Sequence, residues 1–252
     1  MRRRTLLLGM AVGPFGSVDG RAEVGAEDRM DRFRSGGRDI AGEWFLGSGT
    51  QTGDKGKPAV LLLHGADGLV FAEGYRWGAQ AIAAAGISVG FVHYLDRTGE
   101  RRVLYSRLRE SFPLWSETVG DALTWLGARP GVDPARLGIV GVSLGAALAL
   151  WRAAEDPRIR AIVDYFGPVP EGLAARKPKL PPTLILHGAA DPVVPVSHAH
   201  ALAELLKGSG TPYEIEIYPG QAHGFVGPAQ LDSALRVSTF LGRHLAGGVN
   251  RS

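Results

Sequence analysis

The chain has 252 residues, 45% hydrophobic and 21% charged, the balance of an ordinary globular protein with one substantial core, which excludes a disordered chain. Its formal charge of +3 comes from lysines and arginines interleaved with acids, with no basic aromatic-rich face to grip phosphates, so a nucleic-acid partner is not expected. The 36 glycines and 16 prolines sit at separate joints without a period, which excludes a solenoid, and the lack of cysteine removes disulfides, thiolate metal sites and a cysteine nucleophile.

The chain begins MRRRTLLLGMAVGPFG, arginines followed by a short apolar run. Arg3-Arg4-Thr5-Leu6-Leu7 fits the twin-arginine export pattern, and Val24-Gly25-Ala26 offers a cleavage site. Residues 1–26 are therefore read as an export signal that sends the protein to the periplasm or outside the cell; the alternative is a basic terminus of a cytoplasmic protein. Residues 6–15 are too short an apolar run to span a bilayer, so no stable membrane anchor is expected. Loss of the segment would remove four arginines and two acids and leave a charge of about +1.

Residues 27–57 read as a linker with one antiparallel edge strand in IAGEWFLG, near 40–47. From there apolar runs rich in β-formers alternate with helical patterns. The runs are AVLLLH (59–64), ISVGFVH (87–93), LGIVGV (137–142), IRAIVDY (159–165), TLILH (183–187) and YEIEIY (213–218). Most are continuous rather than alternating, as strands buried on both faces are. Helices are predicted near 75–85, 114–127, 144–154, 197–207 and 229–245. The sum is one α/β domain over 58–247, a mostly parallel central sheet with helices on both faces. The longest unpatterned connection, 167–182, is too short to form a large cap domain. The charged segment 97–112 reads as a helical insertion and a candidate wall or flap at the carboxyl ends of the strands, where open α/β sheets bind ligands.

Between the strand ending at Val142 and the alanine-rich helix stands Gly141-Val142-Ser143-Leu144-Gly145. A helix N-cap would account for the serine alone. In a strand-turn-helix context, however, G-x-S-x-G is a nucleophile elbow, whose glycines avoid collision as strand and helix close together. A serine hydroxyl needs a base, and the base an orienting group. Asp191 emerges after a buried strand in His187-Gly188-Ala189-Ala190-Asp191-Pro192, and His223 sits on a glycine-framed loop in Pro219-Gly220-Gln221-Ala222-His223-Gly224-Phe225. Each residue has an ordinary alternative, Asp191 as a helix cap and His223 as a plain loop histidine like His198, His200 and His244. Jointly, Ser143, Asp191 and His223 stand in the chain order of α/β-hydrolases. Donors for a tetrahedral oxyanion are expected from the backbone N–H of Leu144 and, in the loop His64-Gly65-Ala66-Asp67-Gly68, of Ala66; His64 and Asp67 are read as shaping that loop. Tyr75, Arg76, Trp77, Arg97, Tyr105 and Trp115 lie near strand ends as candidate pocket residues or as core and surface.

HGADG, ALTWLGARPGVDPARLGIVGVSLGA, HGAADPVVP and PGQAHGF, with their spacing over about 58–245, resemble the dienelactone hydrolase family of α/β-hydrolases. In that family the nucleophile is often a cysteine, and in the dienelactone enzymes themselves a glutamate follows the first buried strand; Ser143 and Gly65 stand at those positions here. The resemblance implies a serine hydrolase similar to the family's carboxylesterase-like members, acting on a small-molecule ester without cofactor or metal, and does not carry over the lactone substrate. Two rivals remain. A peptidase of the prolyl-oligopeptidase type would keep the triad, and a non-catalytic hydrolase-fold binding protein would be expected to have lost a member of it.

Overall fold

The computed structural model describes residues 29–49 and 56–245, so residues 1–26, read from sequence as an export signal, lie outside the described residues. One eight-stranded sheet in the order β1-β2-β4-β3-β5-β6-β7-β8 forms the middle layer. Its strands are β1 Met30–Ser35, β2 Arg38–Phe45, β3 Lys57–Leu63, β4 Ser88–Val92, β5 Val132–Val142, β6 Ile159–Tyr165, β7 Thr183–Gly188 and β8 Tyr213–Tyr218. From β4 to β8 all pairings are parallel, while β1 with β2 and β2 with β4 are antiparallel. This is the α/β-hydrolase architecture, and β3 to β8 fall close to the runs expected from sequence.

Two elements differ from the sequence reading. The segment at 40–47 is a strand, but not the edge: β1 lies outside it, joined through Gly36 and Gly37, whose φ of 49° and 80° suit the two-residue hairpin turns that need left-handed backbone at both positions. The hairpin thus continues the sheet instead of linking to it. The helices are α1 Ala72–Ala84, α2 Leu108–Gly127, α3 Leu144–Ala153, α4 Ser197–Gly208 and α5 Pro228–Leu245. Helix α2 starts six residues before the expected position because Pro113 lies one turn inside it, where it removes a single backbone bond and does not end the helix.

Strand β3 shows how the layers are made. Ala59, Leu61 and Leu63 face one side, with α2, α3 and α4; Val60 and Leu62 face the other, with α1 and α5. Of the segment 97–112, only its last residues are α-helical. It does not wall the cavity described below; Val103 N–H donates to the Ala66 carbonyl at 2.8 Å, so the segment braces the loop after β3 from behind.

Candidate active site

Ser143 sits where β5 gives way to α3, with φ 53° and ψ −113°, a left-handed backbone rare for any residue with a Cβ. The crossing is tight. A Cβ on Gly141 would lie 2.5 Å from the Ala146 backbone, and one on Gly145 would lie 2.4 Å from the Leu63 carbonyl. Both glycines are therefore required by close approach, and the strain at Ser143 lifts its hydroxyl out of the turn.

The structure brings Ser143, His223 and Asp191 together from three strand ends. Ser143 Oγ lies 2.9 Å from His223 Nε2, and His223 Nδ1 lies 2.7 Å from Asp191 Oδ2. With Nδ1–H donating to the carboxylate, Nε2 is the acceptor that faces the serine hydroxyl. Asp191 Oδ1 accepts the N–H groups of Val193 and Val194 at 2.8 and 2.9 Å. Burial works to raise its pKa, but the bonds from His223, Val194 and Val193 outweigh that and hold the carboxyl below its ordinary value. The helix-cap alternative for Asp191 does not hold, because α4 begins after Val196 and Asp191 closes its own turn. His187, fully buried, lies 3.6 Å from the same Oδ2 and bonds the Val194 carbonyl through Nε2; burial lowers its pKa, so it braces the loop as a neutral ring.

Around the serine, the loop after β3 is pinned by a second network. Gly65 N–H donates to Tyr75 Oη at 3.0 Å and Tyr75 O–H donates to Asp67 Oδ1 at 3.1 Å. His64 Nδ1 approaches the Gly65 carbonyl at 2.8 Å, with burial holding its pKa down at about 4. Among the described residues, no acceptor takes the N–H of Ala66 or Leu144, and Ala66 lines the same cavity as Ser143 and His223. A Cβ at Gly65 would lie 2.6 Å from Asp67 Oδ1 and 3.5 Å from the Ser143 Cβ, so glycine is what lets the Asp67 carboxylate pack against this loop beside Ser143.

Sequence reasoning missed Phe166. Its ring packs on His223 at 4.7 Å between centroids, its φ is 43°, and Phe225 meets it edge-on. The signal was the pair Tyr165-Phe166 at a strand end, ahead of a glycine, in a position where a core strand has no further need of aromatics. Of the pocket candidates, Tyr75 and Trp77 line the cavity. Arg76 instead pairs with Glu43 and Glu73, Arg97 with Glu117 and the Ser35 carbonyl, and Trp115 is core. The side chain of Tyr105 is outside the described set. His198 bonds the Val169 amide, and among the described residues no cluster of histidine and carboxylate groups could hold a metal ion.

A cavity of about 680 Å³ opens at Ser143 and His223. This is the size and the strand-end position of a small-molecule site. Among the described residues, no helix is long and apolar enough to cross a membrane.

A sequence profile of the dienelactone hydrolase family matches residues 50–237. A Yersinia pestis protein named "Putative carboxymethylenebutenolidase" is 29% identical over 107 residues, which cover 39% of this chain and 40% of that protein. The chain thus spans about two fifths of the length of that protein and of a Salmonella typhimurium relative of the same name. The dienelactone hydrolase of Anabaena variabilis superposes with a TM-score of 0.68 at 23% identity, over 86% of this chain and 99% of the other. A puromycin-hydrolyzing peptidase of Mycobacterium tuberculosis superposes with a TM-score of 0.71 at 23% identity, over 87% of this chain and 39% of the other. At these identities the two structures speak for the fold.

Proposed function

The chain belongs to the dienelactone hydrolase family, and we propose that it cleaves carboxylic esters of small molecules through an acyl-serine intermediate. The observation that carries this reading is the unbroken chain Asp191–His223–Ser143, at 2.7 and 2.9 Å, at the mouth of the cavity. As Ser143 Oγ attacks the ester carbonyl, Nε2 of His223 takes its proton, and Asp191 fixes the ring and stabilises the imidazolium. The N–H groups of Leu144 and Ala66 receive the tetrahedral oxyanion. The imidazolium then protonates the leaving alcohol, and the acyl group stays on Ser143. A water, deprotonated by His223, attacks the acyl-serine; the proton returns to Oγ and the acid leaves.

Phe166 supports the role of His223, since a ring tilted against the imidazole with centroids 4.7 Å apart limits how far it can turn. Gly65 supports a site that differs from that of the dienelactone enzymes, because no carboxylate can reach Ser143 from that position. Nothing in this scheme requires a cofactor. The twin-arginine pattern at residues 3–7 supports export of the mature enzyme.

The test is hydrolysis of nitrophenyl acetate and butyrate by the protein and by Ser143→Ala. The expected loss is about 10⁴-fold or more in kcat, with thermal unfolding unchanged. An equal rate in the variant would sink the serine mechanism. Labelling of Ser143 by an active-site-directed phosphonate distinguishes an enzyme from a binding protein, and release of amine from amide and peptide substrates at rates above those for esters would move the reading to the peptidases.

A further inference from the structure

We infer that the cavity is built to hold a long, uncharged, apolar acyl chain, lodged between α1 and α5. This deepens the esterase reading and rests on it.

The first ground is the shape of the cavity. From Ser143 it descends along Val142 and Val140 of β5 to Leu62 and Ile82, and on the α5 side to Val237. These deep residues, apart from Val142, belong to the hydrophobic core on the α1/α5 side of the sheet and are almost fully buried. The cavity is therefore a slot let into that core. Its floor at Leu62 and Ile82 lies toward β3, while Asp191 and His223 come from the β7 and β8 side. The proton for the leaving alcohol comes from His223, so the deep end receives the acyl part.

The second ground is how the slot is made. On α1 the residues facing it include Gly74, Gly78 and Ala81, at i, i+4 and i+7 and so on one helical face. Neither glycine is explained by close packing: among the described residues a Cβ at either would meet nothing within 4 Å, and neither has a positive φ. Glycine inside a helix is destabilising relative to alanine. Here the omitted side chains leave open volume. Opposite them α5 presents Gln230, Ser233, Ala234 and Val237, again one face.

The third ground is chemistry. Among the described residues, no lysine or arginine lines the cavity, and its acidic lining residue, Asp67, is engaged by Tyr75. The polar groups deeper in satisfy one another: Ser233 Oγ donates to the Gln230 carbonyl at 2.8 Å, and Tyr165 O–H reaches Ser233 Oγ at 3.4 Å. An acyl group ending in a carboxylate would find no cation and would face Asp67. A hydrocarbon tail would find aliphatic and aromatic walls, entered between the exposed rings of Phe71 and Trp77 and the exposed Val193 and Val226.

The experiment is kcat/KM for nitrophenyl esters from acetate to dodecanoate, with mono-nitrophenyl succinate as the charged counterpart of the butyrate. Each added methylene up to about octanoate should raise kcat/KM by about fourfold, the ratio that ~0.8 kcal/mol of burial gives at 1.36 kcal/mol per tenfold. Succinate should run at least about tenfold below butyrate. Gly78→Leu, which fills the slot, should lower the octanoate-to-acetate ratio by tenfold or more, and Gly74→Leu repeats the plug one turn away. A flat series, a succinate preference, or an unchanged ratio in folded plugged variants overturns the acyl slot while the enzyme remains an esterase that depends on Ser143. Absence of turnover on every ester, acetate included, overturns the underlying esterase reading instead. Varying the alcohol at fixed acetate is the last control; a chain-length gain found only there would place the tail on the alcohol and overturn the assignment to the acyl group.

Discussion

The two faces of the sheet are packed to different ends. On the α2/α3/α4 side the largest fully buried side chains meet one another: Trp115 lies edge-on to Tyr94 at 6.1 Å, its indole N–H donates to Thr98 Oγ1, and leucines of α2, α3 and α4 close the remaining space. The α1/α5 side is also closed below the slot, with Phe240, Leu241 and Leu245 buried in one cluster with Val163 and Leu184. Its upper half, toward the strand ends, is open where α1 carries glycine in place of larger side chains. Interiors normally fill to crystal-like density, so a slot within reach of Ser143 is a departure that stability alone would not produce. One face holds the fold together, and the other gives up part of its packing to make room for a ligand.

Truncation on the closed face should therefore have the largest effect on stability. Trp115→Ala is expected to cost about 3–5 kcal/mol, since it leaves a cavity and removes the donor to Thr98. In a chain of this size that lowers the unfolding temperature by roughly 10 °C. Phe71→Ala, an equally apolar residue 67% exposed on the open face, should stay within about 0.5 kcal/mol of the parent. Urea unfolding of the two variants side by side is the measurement; similar losses would erase the contrast between the faces.

A smaller effect comes from one polar group on the closed face. Asp164, near the end of β6, is fully buried; Oδ1 accepts the Gly167 amide at 2.7 Å, and among the described residues Oδ2 has no hydrogen-bond partner. Burial, partly offset by the Gly167 bond, pushes its pKa from 3.8 up to about 7. Between those two values the folded protein keeps a proton that the unfolded chain has released, so stability falls as pH rises through the window. At about 1.4 kcal/mol per unit the loss is at most roughly 4 kcal/mol, complete above pH 7. Asp164→Asn should remove that slope, gaining on the parent from pH 4.5 to 8. Parallel pH–stability curves would show that the carboxyl is not strained by its surroundings.

What could be read from sequence follows the same division. The turn at Ser143 was legible because its glycines are forced by contact, and the meeting of Asp191 and His223 with it because each lies on the loop just past a strand. The slot was not, since Gly74 and Gly78 act by omission and look like punctuation in an otherwise ordinary helix. The hairpin strand β1 escaped for another reason: in MDRFRS only Phe33 and Ser35 are buried, while Met30, Arg32 and Arg34 face solvent and Asp31 meets Trp125 of α2 and Arg129 just past it, a mix that reads as linker. Pro113 hid the start of α2, because a proline near a helix terminus is read as the terminus. Phe166 owes its place against His223 to a backbone turn that residue type alone does not announce.

The smallest effect is also the most direct probe of the contrast. If α1 gives up helix stability at Gly78 only to leave volume, then Gly78→Ala should return about 0.5–1 kcal/mol, because the new methyl meets nothing and the backbone there is not left-handed. That gain, about 2–3 °C in the unfolding temperature, should come with a narrower slot and a modest fall in the preference for long acyl chains. The same substitution at Gly141 offers no such gain, since its Cβ would strike the Ala146 backbone at 2.5 Å. Opposite signs at the two glycines in differential scanning calorimetry would separate a residue kept small by its neighbours from one kept small for a ligand; destabilisation at both would mean that α1 is packed more tightly than its open face implies.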